Sequence, residues 1–142
     1  MVKHDLASQA RRFAARTSDL LNGTITNGIR VSSLTTSAGL ATVGAGVGKQ
    51  GSNAEPVPLA PAGGKALVYL YLAHYCVLDP EGVYLAMKQS TLNLYTSAEM
   101  NDDELILGLD YVREPTNQFP GSHIHVSGQR DDLDAIYLGD ER

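Results

Sequence analysis

Residues 5–21 have the hydrophobic pattern of an amphipathic helix. The apolar positions recur every three, four or seven residues and share one face: Leu6, Ala10, Phe13, Ala14, Leu20 and Leu21. Asp5 suits the N-cap position, and Asn22-Gly23 predicts a left-handed stop at the C-terminal end. The sequence therefore predicts an N-terminal helix that buries one face and leaves its arginines in solvent.

Residues 65–128 have the pattern of an antiparallel β-meander. Strand-like apolar segments are separated by short polar turns, of which Asp79-Pro80-Glu81-Gly82 is the clearest. The predicted strands are 67–78, 83–88 with a possible extension to 95, 104–113 and 123–127. Because consecutive strands joined by short turns usually pair, we expect antiparallel neighbours throughout.

The remaining segments carry weaker patterns. Residues 24–34 predict a hairpin about Asn27-Gly28, since this dipeptide is the favoured two-residue turn. Residues 35–64 are rich in Gly, Ala and Pro, which predicts a flexible arm or an arm ordered by a partner. Residues 131–138 predict a short C-terminal helix with acidic residues in its first turn.

Together these elements predict an α+β fold in a single domain of residues 1–142. One antiparallel meander sheet carries the N-terminal helix across a face. Alternation in strand 67–78 places Tyr69, Tyr71 and Tyr75 on one face and aliphatic residues on the other. We therefore expect both faces to be covered, by the helix on one side and a neighbouring chain on the other.

Composition and charge narrow the functional classes. The chain has 142 residues, 43% of them hydrophobic, and a net charge of −5, which is typical of a globular domain. No apolar run is long enough to span a bilayer, so we expect no membrane partner. The acidic balance argues against binding driven by phosphate contacts, and we expect no DNA. The lone Cys76 indicates a reduced core thiol and a cytoplasmic location.

Two histidines in the last predicted strand are the main chemical signal. His123 and His125 are two residues apart, so their side chains share a face at roughly 7 Å. Acid–base catalysis is one interpretation, with one imidazole taking a proton, the other giving one, and Arg113 and Tyr111 in support. This arrangement suits metal-independent RNA cleavage. Two sheet histidines bonded to neighbouring carbonyls, without any function, are the structural alternative.

Metal binding is a third interpretation of the histidine pair. It requires at least one further ligand, for which His74, Asp79 and Asp110 are candidates, none at a diagnostic spacing. The sequence therefore assigns neither a metal nor a cofactor.

The block from Asp110 to Val126 resembles a known protein family. Asp110-Tyr111-x-Arg113, a turn rich in Pro and Asn, and Phe119-Pro120-x-x-His123-x-His125 are similar to motifs of TumE-like toxins of bacterial toxin–antitoxin pairs. They also resemble uncharacterised actinobacterial domains. The resemblance covers residues 66–128, but the histidines are offset by one residue. It implies a toxin-like protein that acts on RNA or nucleotides through His123 and His125, with Arg113 in support and an antitoxin as partner.

A second functional class fits the same sequence. The Gly/Ala arm of residues 35–64 and a sheet with two apolar faces are typical of a self-assembling or protein-interaction module, including a phage or particle component. On this interpretation the chain is not an enzyme and forms a homo-oligomer or binds a cognate protein. The enzyme class predicts an exposed His123/His125 pair in a cleft, with Arg113 and Tyr111 within a few ångströms. The interaction class predicts instead that the Gly/Ala arm and the tyrosine face are buried by another copy or another protein.

Overall fold

The computed structural model describes residues 5–49, 51–60, 64–114 and 121–127. It contains one helix, α1 (Leu6–Asn22), and the following strands: β1 (Val31–Thr35), β2 (Ala41–Ala45), β3 (Val57–Leu59), β4 (Val68–Leu78), β5 (Leu85–Tyr95), β6 (Leu105–Val112) and β7 (Ser122–Val126). The predicted C-terminal helix over 131–138 and the Phe119-Pro120 turn lie outside these residues.

The seven strands form one antiparallel sheet in the order β1-β2-β4-β5-β6-β7. The seventh strand, β3, shares an edge of β4 with β2. It pairs with residues 68–70 of β4, and β2 pairs with residues 73–76. Helix α1 packs across β1 and β2. These observations confirm the predicted α+β fold. Over the described residues, no helix is both long and apolar enough to cross a membrane.

Helix α1 begins at the predicted cap and buries the predicted face. The Ser8 N–H donates to Asp5 Oδ1 at 2.7 Å, which satisfies one of the free donors of the first turn. Leu6, Ala10 and Ala14 are buried, and the small alanines let the helix lie close to the sheet. The far end departs from the prediction, since Leu20 is exposed.

The helix also ends differently from the prediction. Gly23 has φ −85°, which is right-handed, and its N–H donates to the Asp19 carbonyl at 2.9 Å. The predicted left-handed stop is therefore wrong. The Asn22 side chain instead holds the chain after the helix, because its amide group exchanges two hydrogen bonds with the Ile29 backbone.

The hairpin predicted about Asn27-Gly28 is also wrong. Gly28 has the positive φ of 72° expected of this dipeptide, but no strand precedes it in the described structure. The Asn22 side chain takes the backbone groups of Ile29 that a partner strand would need. Strand β1 pairs instead with β2 through a turn in which the Thr36 N–H donates to the Leu40 carbonyl.

The Gly/Ala segment of residues 35–64 is not a single flexible arm, because it contains β2 and β3. All five residues of β2 are buried. Gly44 shows why they are small: a Cβ atom there would lie 2.7 Å from the Ala54 Cβ and 2.8 Å from the Leu72 carbonyl oxygen. Such close approach of a neighbouring backbone and a neighbouring side chain requires glycine. Low side-chain volume in this segment therefore reflects tight packing.

The tyrosine face of β4 is partly covered by the chain itself. Val47 and Ala54, from the segment after β2, are buried against Ala73, and Tyr71 and Tyr75 pack around them. The sequence predicts a neighbouring chain on this face; here the cover is intramolecular. Burial and the neighbouring Tyr75 raise the pKa of Tyr71.

Candidate functional site

Three adjacent strands place the candidate site on one face of the sheet. Asp110 in β6 stands directly opposite His123 in β7 and opposite Thr91 in β5. Two residues along, Gly108 stands opposite His125 and Asn93. Since directly opposed residues share a face, Asp110, His123 and His125 project from the sheet together.

Both imidazoles converge on the same carboxylate oxygen. The Nε2 atom of His123 lies 3.6 Å from Asp110 Oδ2, and that of His125 lies 3.5 Å from it. The two rings are nearly perpendicular, at 87°, with their centroids 4.7 Å apart. We name these three residues the Asp-His-His cluster. Its geometry brings two bases and one negative charge to a single point.

Gly108 makes room for the cluster. A Cβ atom at this position would lie 2.8 Å from Asn93 Oδ1 and 3.7 Å from the His125 Cβ. A side chain there would therefore displace the Asn93 amide group, while the His125 Cβ would lie at ordinary van der Waals distance. The Asn93 amide group donates to the Tyr95 hydroxyl at 3.1 Å, which fixes its orientation beside the site.

The cluster is partly buried and open to solvent. The exposed fractions of the side chains are 29% for Asp110, 34% for His123 and 56% for His125. The Nδ1 atom of His123 is buried and has no hydrogen-bond partner among the described residues. No hydrogen bond among these residues therefore fixes the His123 tautomer, so its Nε2 atom can present a lone pair to the cluster.

The structure separates Tyr111 from the predicted site. Tyr111 stands opposite Ser90 and Ser122, and as the neighbour of Asp110 it projects from the other face of the sheet. The sequence contained this signal, since adjacent residues in a strand cannot share a face. Only one of Asp110 and Tyr111 can therefore accompany the histidine pair.

Arg113 also lies outside the cluster. It follows the end of β6, where its N–H donates to the Lys88 carbonyl at 3.0 Å. Three residues separate it from Asp110, or roughly 10 Å of extended chain. Its side chain lines a groove that it shares with Lys88, Gln89 and Val112. Arg113 therefore lies in a groove whose lining includes none of the three cluster residues.

The other candidate ligands have structural partners. His74 lies on the helix side, where its Nδ1 is 2.8 Å from Ser90 Oγ and its ring meets the edge of Phe13. Burial lowers the pKa of His74, which favours the neutral form. Asp79 Oδ1 accepts hydrogen bonds from the Val83 and Tyr84 N–H groups, and these bonds lower its pKa. Of the three ligands considered from sequence, only Asp110 joins the pair.

The reverse side of the same strands is apolar and exposed. Ile124 and Val126 in β7 have exposed fractions of 64% and 73%, and Leu109 and Tyr111 in β6 are also exposed. Alternation places all four on the face opposite the histidines. We name them the apolar strip.

Comparison with known proteins finds no match for this chain. No family model, curated protein or solved structure matches the chain. The resemblance to TumE-like toxins is therefore neither supported nor contradicted, and the function has to be argued from the cluster and the strip.

Proposed function

We propose that this protein acts on RNA or nucleotides by cleaving a phosphate-ester bond, with the Asp-His-His cluster activating the attacking oxygen. The convergence of His123 and His125 on Asp110 Oδ2 at 3.6 and 3.5 Å carries the proposal. Imidazole is the side chain best suited to take and give protons near neutral pH. The partial exposure of all three side chains gives a substrate access to them.

Two cationic side chains in a groove at the end of β6 support the choice of a phosphate ester. Arg113 and Lys88 line this groove together with Glu114, and arginine binds phosphate through two parallel N–H donors. The chain as a whole carries a charge of −5, so attraction to nucleic acid is local. The similarity of residues 66–128 to TumE-like toxins favours RNA as the substrate and an antitoxin as the partner.

Inducing the chain in a bacterial host tests this function. We expect growth arrest and loss of total RNA with the wild type, and neither with His123→Ala/His125→Ala. Tyr111→Phe is the matched control, because its side chain lies on the other face; it should remain as active as the wild type. Circular dichroism of the purified variants checks that each one folds. Healthy growth and intact RNA with the wild type would contradict the proposal.

The apolar strip favours a second candidate, a module that associates with another copy or another protein. Exposed fractions of 64% and 73% at two aliphatic residues of one short strand are unusual on a surface with no function. Light scattering after size exclusion tests self-association. Ile124→Lys should convert an oligomer into a monomer, whereas Leu20→Lys, at an equally exposed position on α1, should not. A wild-type monomer would exclude the homo-oligomer.

A further inference from the structure

We infer that Asp110, His123 and His125 bind one divalent transition-metal ion of the zinc class. The inference uses the site of the proposed function but is independent of the substrate. Alternation and register bring the three residues together from two adjacent strands, and their ligand atoms all lie within 4.8 Å of one another.

The distances in the cluster are close to those of a coordination shell. Zinc binds imidazole nitrogen and carboxylate oxygen at roughly 2.1 Å, so two ligands at a tetrahedral angle are about 3.4 Å apart. The two Nε2–Oδ2 distances, 3.6 and 3.5 Å, are within a few tenths of an ångström of this value. Since the ligand atoms lie within 4.8 Å of one another, the widest pair would have to close by up to about 1.4 Å, and the exposed His125 ring has room to turn.

The charge of the cluster favours a cation. Among the described residues, the ion-pair contacts of Asp110 are with the two histidines and with no lysine or arginine. With neutral imidazoles the cluster carries one negative charge and offers three lone pairs to one point. A divalent ion satisfies all three ligands at once and leaves a net charge of +1.

The ligand types select the class of metal. Two imidazole nitrogens and one carboxylate oxygen suit zinc and other late divalent ions, whereas Ca²⁺ and Mg²⁺ prefer shells of oxygen. Three protein ligands leave at least one coordination position open, as in catalytic zinc sites and unlike closed structural ones. The exposed side of the cluster is where that open position faces, since His125 is more than half exposed there.

Calorimetric titration of the untagged, EDTA-treated full chain with ZnCl₂ tests this inference. We expect one ion per chain, and at least about tenfold weaker binding by Asp110→Asn and by His123→Ala/His125→Ala. His74→Gln is the matched control, because it removes a histidine on the opposite face of the sheet; its affinity should equal that of the wild type. Zinc should also raise the Tm of the wild type and leave that of the double variant unchanged.

The outcomes separate the metal from the proposed activity. Absence of binding, or equal binding by the wild type and the double variant, would overturn the metal inference. RNA cleavage by the EDTA-treated chain would then keep the proposed function. Zinc binding that depends on the cluster, without any RNA cleavage, would keep the metal site and remove the function.

Discussion

The two halves of the sheet differ in how their faces are covered. In the half formed by β1, β2 and β4, α1 packs on one face, and the segment carrying Val47 and Ala54 packs on the other. In the half formed by β6 and β7, one face carries the apolar strip and the other carries the Asp-His-His cluster. We name these the covered half and the open half. The comparison indicates that the covered half stabilises the fold, while the open half is available for binding and chemistry.

Truncating one aliphatic side chain in each half should give the largest difference in stability between the covered half and the open half. Leu70 is buried with Ala45 and Val57, so Leu70→Ala should lower the free energy of unfolding by about 2–5 kcal/mol. Ile124→Ala in the open half should change it by no more than about 0.5 kcal/mol, because most of its side chain is already in water. Urea denaturation measures both. Equal losses would show that the open half is as tightly packed as the covered half.

Adding a single methyl group gives a sharper comparison. Gly44→Ala should cost about 1–3 kcal/mol, because the new Cβ meets the Leu72 backbone carbonyl and the Ala54 Cβ, neither of which can rotate away. Gly108→Ala meets the Asn93 side-chain oxygen, which can turn aside, so it should cost less than Gly44→Ala. Its main effect should be on the position of the Asn93 side chain beside the cluster. Urea denaturation tests this prediction: Gly44→Ala should lose more free energy of unfolding than Gly108→Ala.

Acidification should affect the covered half through His74. Burial lowers the pKa of His74 in the folded protein, whereas the unfolded chain takes up its proton near the ordinary value of 6.5. Between these two values the unfolded state binds more protons, so stability falls as the pH drops below about 6.5 and is unaffected above it. His74→Gln should lose less stability than the wild type between about pH 7.5 and 5.5. Identical pH profiles in urea denaturation would contradict this account.

The helix and the meander could be predicted because each is specified by residues that are close together in the sequence. The cap at Asp5, the apolar stripe of α1 and the turn at Asp79 each depend on residues a few positions apart. Strand β2 was missed because its small residues form a strand only when α1 and the segment near Ala54 close on it. These contacts join distant parts of the chain, and residues 41–45 show no sign of them by themselves.

The candidate site was predictable in part for the same reason. The shared face of His123 and His125 follows from alternation within one strand. The addition of Asp110 depends on the register between β6 and β7, which pairs Asp110 with His123 and cannot be read from either strand alone. Alternation could have excluded Tyr111 once Asp110 was chosen, since the two are neighbours in one strand.

The buried thiol makes local unfolding of this protein measurable by chemical labelling. Cys76 is the single cysteine of the chain, is fully buried, and has its Sγ 3.6 Å from Met87 Sδ. Burial raises its pKa to about 11, and only the thiolate reacts rapidly with disulfide reagents. The rate at which such a reagent labels the native chain therefore reports how often the core between α1 and the sheet opens around Cys76. No engineered probe is needed to time that opening.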